Sequence, residues 1–138
     1  MNKTASYDKL KAKALKALSR REHGRLELQK KLLQISDDMA LIEKILTECE
    51  ANNWLSEARF VKAYIHTRAQ RHYGPRKIRY ELEQRGVDAE LIEAAFAASE
   101  LEWTELAEAT RQRKFGVAKA ESWIDRGKQK QYLYQRGF

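Results

Sequence analysis

One proline, one cysteine and six glycines in 138 residues leave little to interrupt a helix and nothing to staple a fold. Proline ends helices by removing an amide and clashing with the preceding turn, so its scarcity permits helix almost throughout. The lone Cys49 has no partner for an internal disulfide, which fits a reducing compartment. No stretch approaches the roughly eighteen consecutive apolar residues of a membrane helix. The N-terminal MNKTASYDKLKAKALKAL scatters lysines among its leucines instead of placing them before an apolar block. Neither a membrane span nor a signal peptide is expected, and the expected location is the cytoplasm.

The signatures of common enzymes are missing too. The chain has no G-x-x-x-x-G-K-[ST] loop and no G-x-G-x-x-G, so the usual phosphate cradles are absent. None of His23, His66 and His72 stands at ligand spacing from Cys49, which itself lies in an apolar stripe and reads as core. The glutamates of ELIEAA and ELEWTELAE read as a solvated helix face, not as paired carboxylates in a cleft. No catalytic residue, cofactor or metal is expected. Trp54, Trp103 and Trp123 recur near helix junctions and read as packing anchors more readily than as platforms for bases.

What is abundant is Ala, Leu, Glu, Lys, Arg and Gln, in patterns of helical period. Leu41, Ile42, Ile45, Leu46 and Cys49 form one apolar stripe, with Asp37 or Asp38 placed to cap it. Ser56 is placed to cap a second helix carrying Phe60, Val61, Tyr64 and Ile65. A third begins at Pro75, the first helical position where proline fits, and stops before Gly86. The expected helices are 7–20, 24–34, 38–51, 57–71, 75–85, 89–98, 100–115 and about 120–136, with 117–124 open between loop and helix.

Sliding the chain along itself by 50 residues superposes these helices. Leu41, Ile42, Ile45 and Leu46 fall on Leu91, Ile92, Ala95 and Phe96, while Gly24, Leu28 and Leu32 fall on Gly74, Ile78 and Leu82. A shift of 51 places Gln84, Arg85 and Gly86 on Gln135, Arg136 and Gly137. The pattern predicts an all-α chain of tandem three-helix repeats forming an elongated rod: 1–52, 53–99 and a third, incomplete repeat at 100–138.

Charge follows the repeats. The formal net charge is +7, distributed as +7 over 1–35, −3 over 36–66, +4 over 67–86, −7 over 87–110 and +6 over 111–138. Any one such block can be merely a solvated face. Their recurrence points to cationic stripes that suit a repetitive polyanionic or acidic surface. The residues expected to supply that contact are Arg20, Arg21, Arg25, Arg68, Arg71, Arg76, Arg79, Arg111, Arg113, Lys114, Lys128 and Lys130. Tyr80 is expected to point outward beside Arg76 and Arg79, and Tyr73 either to pack across the helix junction or to touch the partner. No heptad seam is long enough for a coiled coil, so a monomer is expected.

The segments LSRREHGRLELQKKL, NNWLSEARFVKAYIHTRA, YGPRKIRYELEQRG and KQKQYLYQRGF resemble the RecX family of bacterial recombinase regulators. The resemblance runs from about Ala14 to Phe138 and is most specific in W-L-S-E-A-R-F followed by Y-G-P-R-K-I. It implies a curved, all-helical protein of three tandem three-helix repeats. It also implies binding in the groove of the RecA–DNA filament, with contact to single- or double-stranded DNA open, and inhibition of ATP hydrolysis, strand exchange and cleavage of the SOS repressor. Family members generally continue past the R-G-F element with a final helix, and the third repeat here is expected to lack it. A nonspecific nucleic-acid-binding protein acting without RecA is the alternative that composition leaves open.

Overall fold

The computed structural model describes residues 5–138. The described residues form eight α-helices and no strand: α1 (Tyr7–Arg20), α2 (Arg25–Leu33), α3 (Met39–Ala51), α4 (Glu57–Gln70), α5 (Pro75–Gln84), α6 (Ala89–Ala98), α7 (Trp103–Phe115) and α8 (Trp123–Gln135). No helix among them is long and apolar enough to cross a membrane.

Serine and aspartate start these helices as their chemistry demands. Ser6, Asp38, Ser56 and Ser122 accept the amides of Lys9, Leu41, Arg59 and Asp125 at 3.0 to 3.3 Å. Each such cap satisfies an orphan donor and contributes about 1 kcal/mol. The Ser122 cap places the start of α8 at Trp123 and leaves 117–122 outside helix. Left-handed residues end helices: Asn53 after α3, His72 after α4 and Gly137 after α8 have φ of 61, 66 and 100°. At all three the next amide reaches back to a carbonyl of the last turn, as in Trp54 to Cys49, Tyr73 to Arg68 and Phe138 to Leu133.

Contacts divide the chain into two compact units. The first comprises the residues up to Ala63 together with Arg85–Val87. Its core is the stripe read from sequence: Leu10 and Ala14 from α1, Leu28 and Leu32 from α2, and Ile42, Ile45, Leu46 and Cys49 from α3, all buried. Cys49 is a core residue there, and burial pushes its thiol above the ordinary range. Gly86, at φ 74°, passes close to the Leu26 side chain.

The second unit comprises Tyr64–Gln84 and Asp88–Phe138. Ile65, Ile78, Leu82, Ile92 and Phe96 are buried in it, so the positions equivalent by the 50-residue shift, Leu28 with Ile78 and Ile42 with Ile92, share the same environment. The last two helices pack differently: α7 buries only Thr110, and α8 buries no residue. They meet through Phe115 against Tyr132, ring centroids 5.4 Å apart, while Trp103 at the start of α7 packs on Phe96 of α6 at 5.8 Å. The tryptophans divide accordingly. Trp103 packs, Trp54 lies under the Lys11 ammonium at 5.7 Å, and Trp123 is 80% exposed, so the packing reading fails for Trp123, which stands at the first position of a helix that buries no residue.

Candidate functional site

The Gly-Pro corner between α4 and α5 is built by the last turn of α4 and closed by the C-terminus. His72 takes the left-handed conformation that ends α4. Gly74 then donates its amide to the Arg136 carbonyl at 2.7 Å, and Arg76 donates its own to the Gly137 carbonyl at 3.1 Å. The first turn of α5 thus takes its cap from the main chain after α8, because Gly74 has no side chain to supply one. A Cβ on Gly74 would strike the Gly137 backbone.

Around this corner cations sit on aromatic faces. The guanidiniums of Arg68 and Arg136 each lie 3.9 Å from the Tyr73 ring centroid, a sandwich because one face has no room for two at that distance. Arg136 also donates to the carbonyls of Arg71 and His72. Arg76 stacks 3.7 Å over Tyr134 and donates to its carbonyl. Tyr73 therefore packs across the junction, while Tyr80 is 61% exposed.

Beside the corner, α4, α7 and the end of α8 enclose a cleft of about 360 Å³, lined by Arg71, Arg113, Lys114 and Arg136 with His72, Thr110, Gln70 and Tyr132. No carboxylate lines it. Thr110 is buried and its hydroxyl donates to the Leu106 carbonyl at 2.7 Å, so the 2.9 Å contact with His72 Nδ1 is one in which the ring nitrogen donates. Burial, and then the positive Arg113 and Arg136, hold the His72 imidazole below its usual range.

A second cationic groove belongs to the first unit. Lys13, Lys16, Arg20, Arg21 and Lys31 line it with His23, Ala17 and Gln34, over about 560 Å³. His23 is buried, with Nδ1 3.1 Å from the Arg21 carbonyl and Nε2 2.6 Å from the Lys31 ammonium. An ammonium can donate only to an unprotonated Nε2, so the ring is neutral. Burial is the main cause that pushes its pKa down.

The cationic residues expected from sequence fall into two sets. Five are held by carboxylates: Arg21 by Glu27, Arg25 by Glu43 and Glu50, Arg68 by Glu81, Arg79 by Glu93 and Arg111 by Glu108, at 2.6 to 2.8 Å. Arg79 is also 4.3 Å from the Phe96 centroid, so it lies over the core instead of standing clear of it. Arg20, Arg71, Arg76, Arg113, Lys114, Lys128 and Lys130 have no ion pair among the described residues. Arg20 and Arg21 join the first groove, Arg71, Arg113 and Lys114 join the cleft, and Lys128 and Lys130 lie on α8 in shallow depressions that also contain Asp125 and Glu108. Sequence reasoning missed Arg136 and the lysines of the first groove. Lys13, Lys16 and Arg20 stand at i, i+3 and i+7 of α1, a helical spacing that marks one face; Arg136 gave no local signal.

Comparison with known proteins bears on this arrangement. The family model described as RecX, second three-helix domain, matches residues 56–95, and the one described as RecX, third three-helix domain, matches 100–138. The chain is 37% identical, over 94% of its length, to the "Regulatory protein RecX" of Yersinia enterocolitica, covering 90% of that protein. The chain belongs to the RecX family. Its RecX relative in Serratia proteamaculans is 36% identical over the same shares, and that of Yersinia pestis 43% identical over 73% of this chain and 54% of the relative. Two solved RecX structures share the fold. One, titled "Crystal structure of regulatory protein RecX", has a TM-score of 0.77 at 23% identity, over 96% of this chain and 66% of that one. The other, from Lactobacillus salivarius, has a TM-score of 0.78 at 20% identity, over 96% of this chain and 88% of that one.

Proposed function

We propose that this chain regulates the RecA recombinase by binding the RecA–DNA filament and inhibiting its ATP hydrolysis, strand exchange and co-protease action on the SOS repressor. The observation that carries this reading is the 37% identity to a regulatory protein RecX over 94% of the chain. The geometry supports a binding protein of this kind. Each unit presents a cationic recess, and several modest contacts to a repeating polymer add through effective concentration where no single deep pocket exists. Arg20, Arg71, Arg113 and Lys114 are the residues assigned to that contact, and Tyr80, exposed on α5, is assigned to it as an aromatic contact.

The test is a titration of DNA-dependent RecA ATPase on single-stranded DNA, run beside a gel shift on bare DNA with the same preparation. Inhibition at protein levels that do not retard bare DNA is expected. The double variant Arg71→Gln/Arg113→Gln, shown folded by thermal melting, should need on the order of tenfold more protein for equal inhibition. Strong retention of bare DNA at physiological salt, with ATPase lost only through competition for DNA, would instead favour nonspecific nucleic-acid binding.

A further inference from the structure

The cleft beside the Gly-Pro corner has features that a merely basic surface lacks. Its four cations come from three directions: Arg71 from the end of α4, Arg113 and Lys114 from α7, and Arg136 from the end of α8. A planar carboxylate is satisfied by one guanidinium fork, whereas a tetrahedral group with three or four oxygens draws donors from several sides. Arg71 and Arg113 have no ion pair among the described residues. At the wall stands an imidazole whose Nδ1–H is committed to Thr110 Oγ1 and whose Nε2 has no hydrogen-bond partner among the described residues.

We infer that this cleft is a binding site for a tetrahedral phosphoryl group, and that His72 couples its occupancy to protonation. The inference rests on the reading of the cationic recesses as contact surfaces and names the ligand chemistry of one of them. The physical chain is short. An empty cleft surrounds His72 with Arg71 on its own segment, Arg113 and Lys114 on α7 and Arg136 at the end of α8, with no acidic residue in the lining to offset them. Those charges disfavour the imidazolium. A bound oxyanion cancels part of that field and offers Nε2 an acceptor, so His72 takes up a proton as the anion enters. By linkage, the anion binds more tightly as pH falls. A nucleic-acid phosphodiester and free phosphate or pyrophosphate present the same group.

The test follows the His72 imidazole Cε1–H resonance of the full chain by NMR across about pH 5.5 to 8, with and without sulfate, a tetrahedral probe of constant charge over that range. With sulfate the midpoint of His72 should rise by roughly one unit, and sulfate affinity should grow about tenfold from the top of the range to the bottom. His72→Asn keeps a residue that tolerates the left-handed backbone while removing the titration, so its sulfate affinity should no longer change with pH. Arg113→Gln, folded by thermal melting, should abolish the midpoint shift. Repeating the titration with an unphosphorylated oligothymidylate and with pyrophosphate distinguishes the sources: a response to the oligonucleotide assigns the site to phosphodiesters, and a response to pyrophosphate alone assigns it to free phosphate. A His72 midpoint that none of the three probes moves overturns the inference. RecA ATPase inhibition on the same sample separates the two readings: inhibition without an anion response removes the site and spares the regulator, and the reverse result removes the regulator.

Discussion

His23 shows how one buried side chain ties stability to pH. Its neutral ring accepts from Lys31 and donates to the Arg21 carbonyl, so the folded state resists protonation that the unfolded chain accepts freely. With the folded pKa below the ordinary value of about 6.5, the unfolded state binds more protons in the interval between the two, and stability falls as pH falls through it. His72 is shifted in the same direction and adds to the effect. The expected result is a lower melting temperature near pH 5.5 than near pH 7.5, above the window in which the carboxylates titrate. An unchanged or higher melting temperature at the acid end would contradict the neutral assignment. Glu27, Glu43, Glu48 and Glu108, all held below the usual range, add their own loss only at lower pH.

Among the helices, the paired glycines at the 50-residue spacing, Gly24 and Gly74, turn out to be starting positions that borrow a cap. The Arg25 amide is taken by the Glu57 carboxylate from α4, and the Arg76 amide by the Gly137 carbonyl. Both glycines sit where another segment approaches closely, but the obstacles differ. A Cβ on Gly24 would meet the Phe60 ring at 3.1 Å and Glu57 Oε1 at 3.3 Å, side-chain atoms that can give way, whereas one on Gly74 would meet main chain. Gly74→Ala should therefore cost about 1–3 kcal/mol in a denaturant titration. Gly24→Ala should cost less, and equal losses would show that the approach of backbone to backbone is not what distinguishes them. The helices themselves were legible because the apolar stripes, the Ser and Asp caps and Pro75 act within a few residues of one another. The start of α7 at Trp103 was not, since its N-cap Glu102 makes no side-chain cap and Glu100 has φ 58°.

Over the whole molecule, the alternating charge blocks have two fates. Part is consumed internally: Arg25 of the first basic block is held by Glu43 and Glu50 of the next acidic one, and Arg79 by Glu93. These pairs are partly exposed, and each contributes at most about 1 kcal/mol. Part of the remaining positive charge gathers in the groove of the first unit and in the cleft of the second. On the proposed function, replacing Lys13, Lys16 and Arg20 together by glutamine should weaken binding to RecA-coated single-stranded DNA and make it less sensitive to salt. If all three meet phosphates, the slope of log affinity against log salt should fall by roughly two. A slope that the triple variant leaves intact would take the first groove out of the contact.

The sequence by itself determined most of the helices, the serine and aspartate caps, the internal duplication and the apolar positions that share a core, because each depends on residues one or two turns apart or on a repeat visible by alignment of the chain with itself. Only the tertiary structure decided which charges are free. Glu81 is 13 residues from Arg68, Thr110 is 38 from His72, and the Arg136 side chain meets the His72 carbonyl across 64. An arginine's effect on a partner depends on whether a carboxylate already occupies its donors. That is fixed by packing between helices, which no local spacing encodes.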